Sequence, residues 1–143
     1  MDARSDVVRR AFAAFSARDL DRFLELIAPE VELLPAGTAA IANDGRPYRR
    51  PRGVEMFFRD VAAVWEELEI TPHAYREVGD HVLVRGRVYG RAAGGHIVDS
   101  PAHWVWRVVD GKISWGAAFA SEDDAELAAW SPAAEQESPA SAG

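Results

Sequence analysis

A change in apolar periodicity near residue 70 constrains the fold of this chain more than any other feature. Upstream of it, apolar residues recur at helical spacing in three segments. Downstream, apolar and polar residues alternate in ITPHAYREV, HVLVRGRVYGR, HIVDSPAHWVWRVV and KISWGAAFA, which is typical of strands. Gly79-Asp80, Gly94-Gly95 and Asp110-Gly111 separate these segments and predict hairpin turns. Three helices followed by an antiparallel meander predict an α+β fold, whose curved sheet closes a cone-shaped cavity against the helices.

The helices are predicted from stripes of apolar residues and from their boundaries. The first runs from Asp6 to Ala17, and the second begins after the N-cap residue Asp19 and ends before Pro29. The third runs from about Gly53 to Glu67 and buries Phe57, Phe58 and Trp65.

The rest of the chain is predicted to connect or extend these elements. Residues 31–34 form a short buried strand, and residues 35–53 form a long connection rich in Gly, Pro and Arg. Residues 121–124 resemble a capping box that opens a short helix ending at residue 130. We therefore expect one domain over residues 1–130 and a solvated tail over 131–143.

Composition excludes several classes of function. A formal net charge of −7 and a pI near 5.1 argue against nucleic acid as a partner. The chain has no cysteine, so neither disulfides nor thiolate chemistry is available. No apolar run approaches the roughly 18 residues of a membrane span, and the charged N-terminus is unlike a signal peptide. We expect a cytoplasmic protein that contacts no membrane. With no P-loop, dinucleotide fingerprint or G-x-S-x-G motif, we expect no cofactor.

Alternation predicts which face of each strand is buried. Val82, Val84 and Val88 should meet the helices, because burying the alternate Arg85 and Arg87 unpaired would cost several kcal/mol each. Trp104 and Trp106 share the inward face of the next strand. On the last strand alternation leaves two possibilities: either Gly116, Ala118 and Ala120 face inward, or Trp115, Ala117 and Phe119 do.

Three stretches together carry a family likeness. DVVRRAFAAFSARDLDRFLELIAPEVEL, YRRPRGVEMFFRDV and HWVWRVVDGKI, followed by a short helix, resemble the SnoaL-like branch of the nuclear transport factor 2-like superfamily over roughly residues 5–130. The resemblance implies a cone-shaped, cystatin-like α+β barrel with a deep hydrophobic pocket, often a homodimer through the outer sheet face. Relatives include ketosteroid isomerases, limonene epoxide hydrolases, polyketide cyclases and domains that only bind, so the fold leaves the function open.

The catalytic carboxylates of two such groups of enzymes are missing here. The resemblance matches the catalytic Asp of ketosteroid isomerases to Leu34 and their oxyanion-hole Asp to Trp104. The catalytic Asp of limonene epoxide hydrolases falls on Ala118. Both comparisons nevertheless place Trp104, Gly116, Ala118 and Ala120 in the pocket.

We therefore predict a pocket for a hydrophobic ligand that is polyketide-, terpenoid- or steroid-like. In the alternative, Trp65 or Phe15 fills the space beside the small residues of the last strand. The residues expected to contact the ligand are aromatic or apolar: Phe15, Leu34, Tyr48, Phe58, Trp65, Trp104, Trp106 and Ala118.

Cofactor-free isomerisation, cyclisation or hydrolysis in such a pocket would need a group that transfers a proton. Our candidates are Glu32, His103 and Asp99. Glu32 would have a raised pKa if it pointed inward, but at a strand end it would reach water. His103 is either a pocket base or an outward imidazole. Asp99 lies four residues from His103, about 13 Å along a strand, so the two cannot share a proton directly.

Two other groups of polar residues bear on metal binding and on anion binding. The spacing of His96, Asp99 and His103 matches no ligand pattern, so we expect no metal site. Arg46, Arg49, Arg50 and Arg52 are either a solvated charge run or contacts for an anionic substrate. The alternative to an enzyme is a non-catalytic binding or protein-interaction domain.

Overall fold

The structure is a computed structural model that describes residues 3–119 and 121–130, apart from the side chains of residues 36 and 130. Its helices are α1 (Ala3–Ser16), α2 (Leu20–Leu24), α3 (Ala36–Ala42), α4 (Arg50–Val64) and α5 (Glu122–Trp130). Its strands are β1 (Ile27–Leu34), β2 (Tyr48–Arg49), β3 (Trp65–Val78), β4 (His81–Ala92), β5 (Ile97–Val109) and β6 (Lys112–Phe119). The predicted tail and Ala120 lie outside the described residues.

The strands form one sheet in the order β2-β1-β6-β5-β4-β3. The predicted meander of β3 to β6 is antiparallel throughout, and the α+β class is confirmed. The sheet is curved but unclosed, and β1 pairs with β6 in parallel. Local sequence does not reveal this parallel pair, because some 80 residues separate its strands and only tertiary packing brings them together.

The helices α1, α2 and α4 cover one face of this sheet, which we call the inner face. Val8 and Phe12 of α1 are buried in the same cluster as Val61 of α4 and Val82 and Val84 of β4. Arg85 and Arg87, which alternate with these valines, are exposed on the opposite, outer face. The predicted orientation of the valines is therefore confirmed, since hydrophobic burial selects the face that carries no charge.

The last helix lies on the outer face. Ala125 and Ala129 of α5 are buried against Leu83 and Val105, and the hydroxyl of Ser121 accepts a hydrogen bond of 3.2 Å from the Asp124 amide at the start of the helix. Part of the outer face is thus covered within the chain. The homodimer through this face stays a prediction.

Residues 35–53 are more ordered than predicted. Instead of one long connection they contain α3 and β2, and α4 begins at Arg50 rather than near Gly53. A helix of seven residues completes fewer than two turns, so it shows too little periodicity to be recognised. Trp65 is the first residue of β3 and not part of the preceding helix. Among the residues described, no helix is both long and apolar enough to cross a membrane.

Candidate functional site

An apolar cavity of about 70 Å³ lies between the inner face and helices α1, α2 and α4. We call it the inner pocket. Every side chain of its lining is aliphatic or aromatic: Ala11, Phe12, Phe15, Phe23, Leu33, Leu34, Pro35, Phe57, Ile70, Trp104, Trp106, Gly116, Ala117 and Ala118. The described wall of the pocket therefore contains no titratable group.

The strand register explains how the pocket forms. Trp106 pairs with Gly116 and Trp104 with Ala118, so large rings on β5 face small residues on β6. A Cβ atom on Gly116 would lie 2.6 Å from Cε3 of Trp106, which shows that the indole ring lies directly over this glycine. Part of the space beside the small residues is therefore filled by Trp106, and the remainder is cavity. This pairing also resolves the face of β6, because Trp115 and Phe119 pack on the outer face.

Five of the residues predicted to bind a ligand line the inner pocket, namely Phe15, Leu34, Trp104, Trp106 and Ala118. Three of these, Leu34, Trp104 and Ala118, are the positions that the resemblance matched to catalytic carboxylates of relatives. The wall of the inner pocket is apolar at all three positions.

Tyr48 belongs to the protein core instead of the pocket wall. Its side chain is 2% exposed, and its hydroxyl donates a hydrogen bond of 2.6 Å to a carboxylate oxygen of Asp60. Burial first, and then the hydrogen bond and negative charge of Asp60, raise the pKa of Tyr48 well above its ordinary value. The prediction that Tyr48 contacts a ligand in the inner pocket is not supported by this placement.

Phe58 and Trp65 also lie outside the pocket lining. Phe58 packs edge-on against Phe15 and Phe23, with ring centroids 5.6 and 5.3 Å away. The indole Nε1 of Trp65 donates a hydrogen bond of 3.0 Å to the hydroxyl of Thr38 in α3. Both rings therefore support the wall from behind and do not reach the cavity.

None of the three predicted proton-transfer residues lines the inner pocket. Glu32 alternates with the pocket residue Leu33 on β1, and its carboxylate forms a 2.9 Å ion pair with Arg49 of β2. Arg49 can pair with Glu32 because β2 runs beside β1 and places this arginine directly opposite Glu32. The placement gives no support to a role for Glu32 as an acid or base in the pocket.

Asp99 and His103 lie on the outer face of β5. Asp99 is exposed and forms a 3.0 Å ion pair with Arg87 of β4. His103 is half-buried in a depression that it shares with Arg85 and Glu122. Pairing of β4 with β5 continues without a shift through Pro101, so the strand does not turn either group inward.

The prediction of pocket residues missed several aromatic and aliphatic side chains. Phe12, Phe23, Leu33, Phe57 and Ile70 line the cavity, and Phe12 contacts both tryptophans edge-on, with centroids 5.2 and 5.4 Å away. Their helical or alternating spacing does signal burial. It carries no signal that separates a cavity wall from a filled core. Within the described residues, no group of three or more His, Asp or Glu side chains is placed to hold a metal ion.

Comparison with known proteins agrees with this architecture. The family model of the SnoaL-like domain matches residues 8–115. No curated protein matches the chain. An NTF2-like protein of unknown function from Burkholderia pseudomallei has a similar structure, with a TM-score of 0.75 and 24% identity over 90% of this chain and 96% of its own.

Two similar structures were determined with organic ligands. TerC co-crystallised with polyporic acid has a TM-score of 0.73 and 20% identity over 90% of this chain and 98% of its own. Rv0760c from Mycobacterium tuberculosis, in complex with estradiol-17β-hemisuccinate, has a TM-score of 0.68 and 19% identity over 85% of this chain and 95% of its own. At these identities the likeness concerns the fold.

Proposed function

The chain belongs to the SnoaL-like domain family, and we propose that it binds a hydrophobic small molecule in the inner pocket without transforming it chemically. The observation that carries this proposal is the uniformly apolar lining. General acid–base catalysis needs a titratable group within hydrogen-bond reach of the substrate, or one water away, and the described lining offers none. The ligands of TerC and Rv0760c support an organic compound as the occupant.

The size of the pocket limits the ligand. About 70 Å³ is less than the roughly 150 Å³ of an apolar cavity known to admit benzene. A terpenoid, polyketide or steroid can enter only if a wall residue moves, and movement of Trp106 would free the space that its ring occupies over Gly116. We therefore propose that ligand entry displaces the Trp106 ring.

A graded series of neutral ligands tests this proposal. Benzene, toluene, limonene and naphthalene are titrated by saturation-transfer NMR and by tryptophan fluorescence. We expect saturable binding, with a fluorescence change that grows for the larger compounds as Trp106 moves. Conversion of any bound compound into a product would contradict the binding-only proposal.

Blocking the pocket provides the decisive variant. Ala118→Leu places a larger side chain in the cavity and should abolish binding, whereas Ala62→Leu makes the same change on the exposed side of α4 and should leave binding unchanged. Ala118→Val is a milder second variant if the leucine does not fold. Equal affinity in wild type and a folded Ala118→Leu protein would show that the compounds bind elsewhere.

A further inference from the structure

A second concavity, with very different chemistry, lies between the end of α3, β2 and the first turns of α4. It has a volume of about 480 Å³, within the roughly 300–1,000 Å³ typical of small-molecule sites. Four arginines line it (Arg46, Arg49, Arg50 and Arg52), and its lining contains no carboxylate. We call it the arginine groove.

The positive charge of this groove is only partly compensated within the protein. Arg49 pairs with Glu32 at 2.9 Å, and Arg46 lies 3.8 Å from the largely exposed carboxylate of Asp44. Arg50 and Arg52 have no ion-pair partner in the part of the chain that the structure describes. Two arginines without an ion pair therefore line the same concavity, in a chain whose net charge is −7.

The backbone around the groove is held in place. The side-chain amide of Asn43 donates a hydrogen bond of 2.9 Å to the carbonyl of Arg46, and the amide of Gly45 donates one of 2.8 Å to the carbonyl of Ala39. Gly53 allows close contact on the other side, since a Cβ atom there would lie 3.0 Å from the carbonyl carbon of Tyr48. The backbone that carries the arginines is therefore fixed by hydrogen bonds and close packing.

The helix adds to the preference for an anion. α4 begins at Arg50, and its first turn contains no acidic side chain. Negative charge is favoured at this end of a helix, so two arginines here are unfavourably placed unless an anion compensates their charge.

We propose that the arginine groove binds a phosphate monoester of a small organic compound. A phosphate monoester carries nearly two negative charges at pH 7, which matches the two unpaired guanidinium groups of Arg50 and Arg52, and its oxygens accept the paired N–H donors of arginine. Pro47 and the 40% exposed Met56 in the same groove offer apolar contact for the organic part. This site is separate from the inner pocket and does not depend on the function proposed for it.

Titration with phenyl phosphate tests the proposal by calorimetry and by NMR amide shifts. We expect changes in amide chemical shift confined to residues 43–56. Inorganic phosphate, which lacks the organic part, and benzoate, which lacks the phosphate group, should both bind more weakly. Arg50→Gln with Arg52→Gln should weaken phenyl phosphate binding about tenfold or more, because it removes both charge-assisted hydrogen-bond donors. Toluene binding to the inner pocket should not change.

A matched control keeps the change of net charge constant. Arg10→Gln with Arg59→Gln removes two exposed arginines outside the groove, and we expect less than about a twofold effect on affinity at 150 mM salt, where distant charges are screened. If the glutamine variant does not fold, Arg50→Lys with Arg52→Lys is used in its place. It retains both positive charges but removes the paired N–H donors of the guanidinium groups. Equal weakening in the groove and control variants, benzoate binding as tightly as phenyl phosphate, or no binding at all would overturn the proposal.

Discussion

Gly116→Ala tests the geometry on which the inner pocket depends. The new methyl group would lie 2.6 and 2.8 Å from Cε3 and Cζ3 of Trp106, and 3.2 Å from Cδ2 of Leu33. Since carbon atoms pack at about 3.5–4.0 Å, the indole ring has to move by close to an ångström. Overpacking of this kind costs about 1–3 kcal/mol, and the lower chain entropy of alanine returns about 0.4–1 kcal/mol. We expect a net loss of about 1–2 kcal/mol in the free energy of unfolding.

Urea denaturation followed by circular dichroism measures this loss. Gly94→Ala is the matched control, because a Cβ atom there meets nothing within 4 Å, and it should be neutral or slightly stabilising. When Trp106 is also replaced by Leu, Gly116→Ala should no longer lower the free energy of unfolding. The displaced ring should also reduce toluene binding. If Gly116→Ala is as stable as Gly94→Ala and binds toluene normally, Trp106 does not cover this glycine and the account of the pocket is wrong.

Three further variants test the packing around the site. Trp106→Ala should cost about 3–5 kcal/mol in urea unfolding, near the lower end because it also removes a buried indole N–H that has no partner among the described residues. Glu32→Gln should lower the free energy of unfolding by at most about 1 kcal/mol, since its partner Arg49 is exposed. It should leave ligand binding intact. A loss of binding would show that Glu32 takes part in the binding site. Tyr48→Phe should cost about 1–2 kcal/mol at pH 7 through the lost hydrogen bond to Asp60. Because the pKa of Tyr48 is raised in the folded state, the stability that its hydroxyl contributes is complete below pH 10 and falls as pH rises further. The difference in free energy of unfolding between wild type and Tyr48→Phe should therefore shrink from pH 9 to pH 11. A difference that stays constant over this range would refute the raised pKa.

Much of the architecture was predictable because it depends on local patterns. Alternation of valine and arginine in β4 determined which face is buried, since an unpaired charge cannot follow the valines into the core. The hairpin glycines Gly79, Gly95 and Gly111 all have positive φ, which other residues adopt only at a cost. The resemblance of three separate stretches then indicated the arrangement of these elements.

Short elements and strand neighbours were not predictable. α3 and β2 are too brief to show a period, and together they bring Arg49 opposite Glu32. That pairing, and the parallel register that sets Leu33 opposite Gly116, turn the Glu32 side chain to the outer face. A single strand cannot specify which of its faces the rest of the chain will cover.

The sequence by itself determined that Trp104 and Trp106 share a face and that β6 alternates small with large residues. Only the tertiary structure decided that the small residues face the rings, and that the space between them is partly filled and partly open. Whether an apolar side chain completes a core or borders a cavity depends on the summed volumes of residues from several elements, here including Phe12 of α1 and Gly116 of β6. The spacing of residues within a single segment carries no information about this sum.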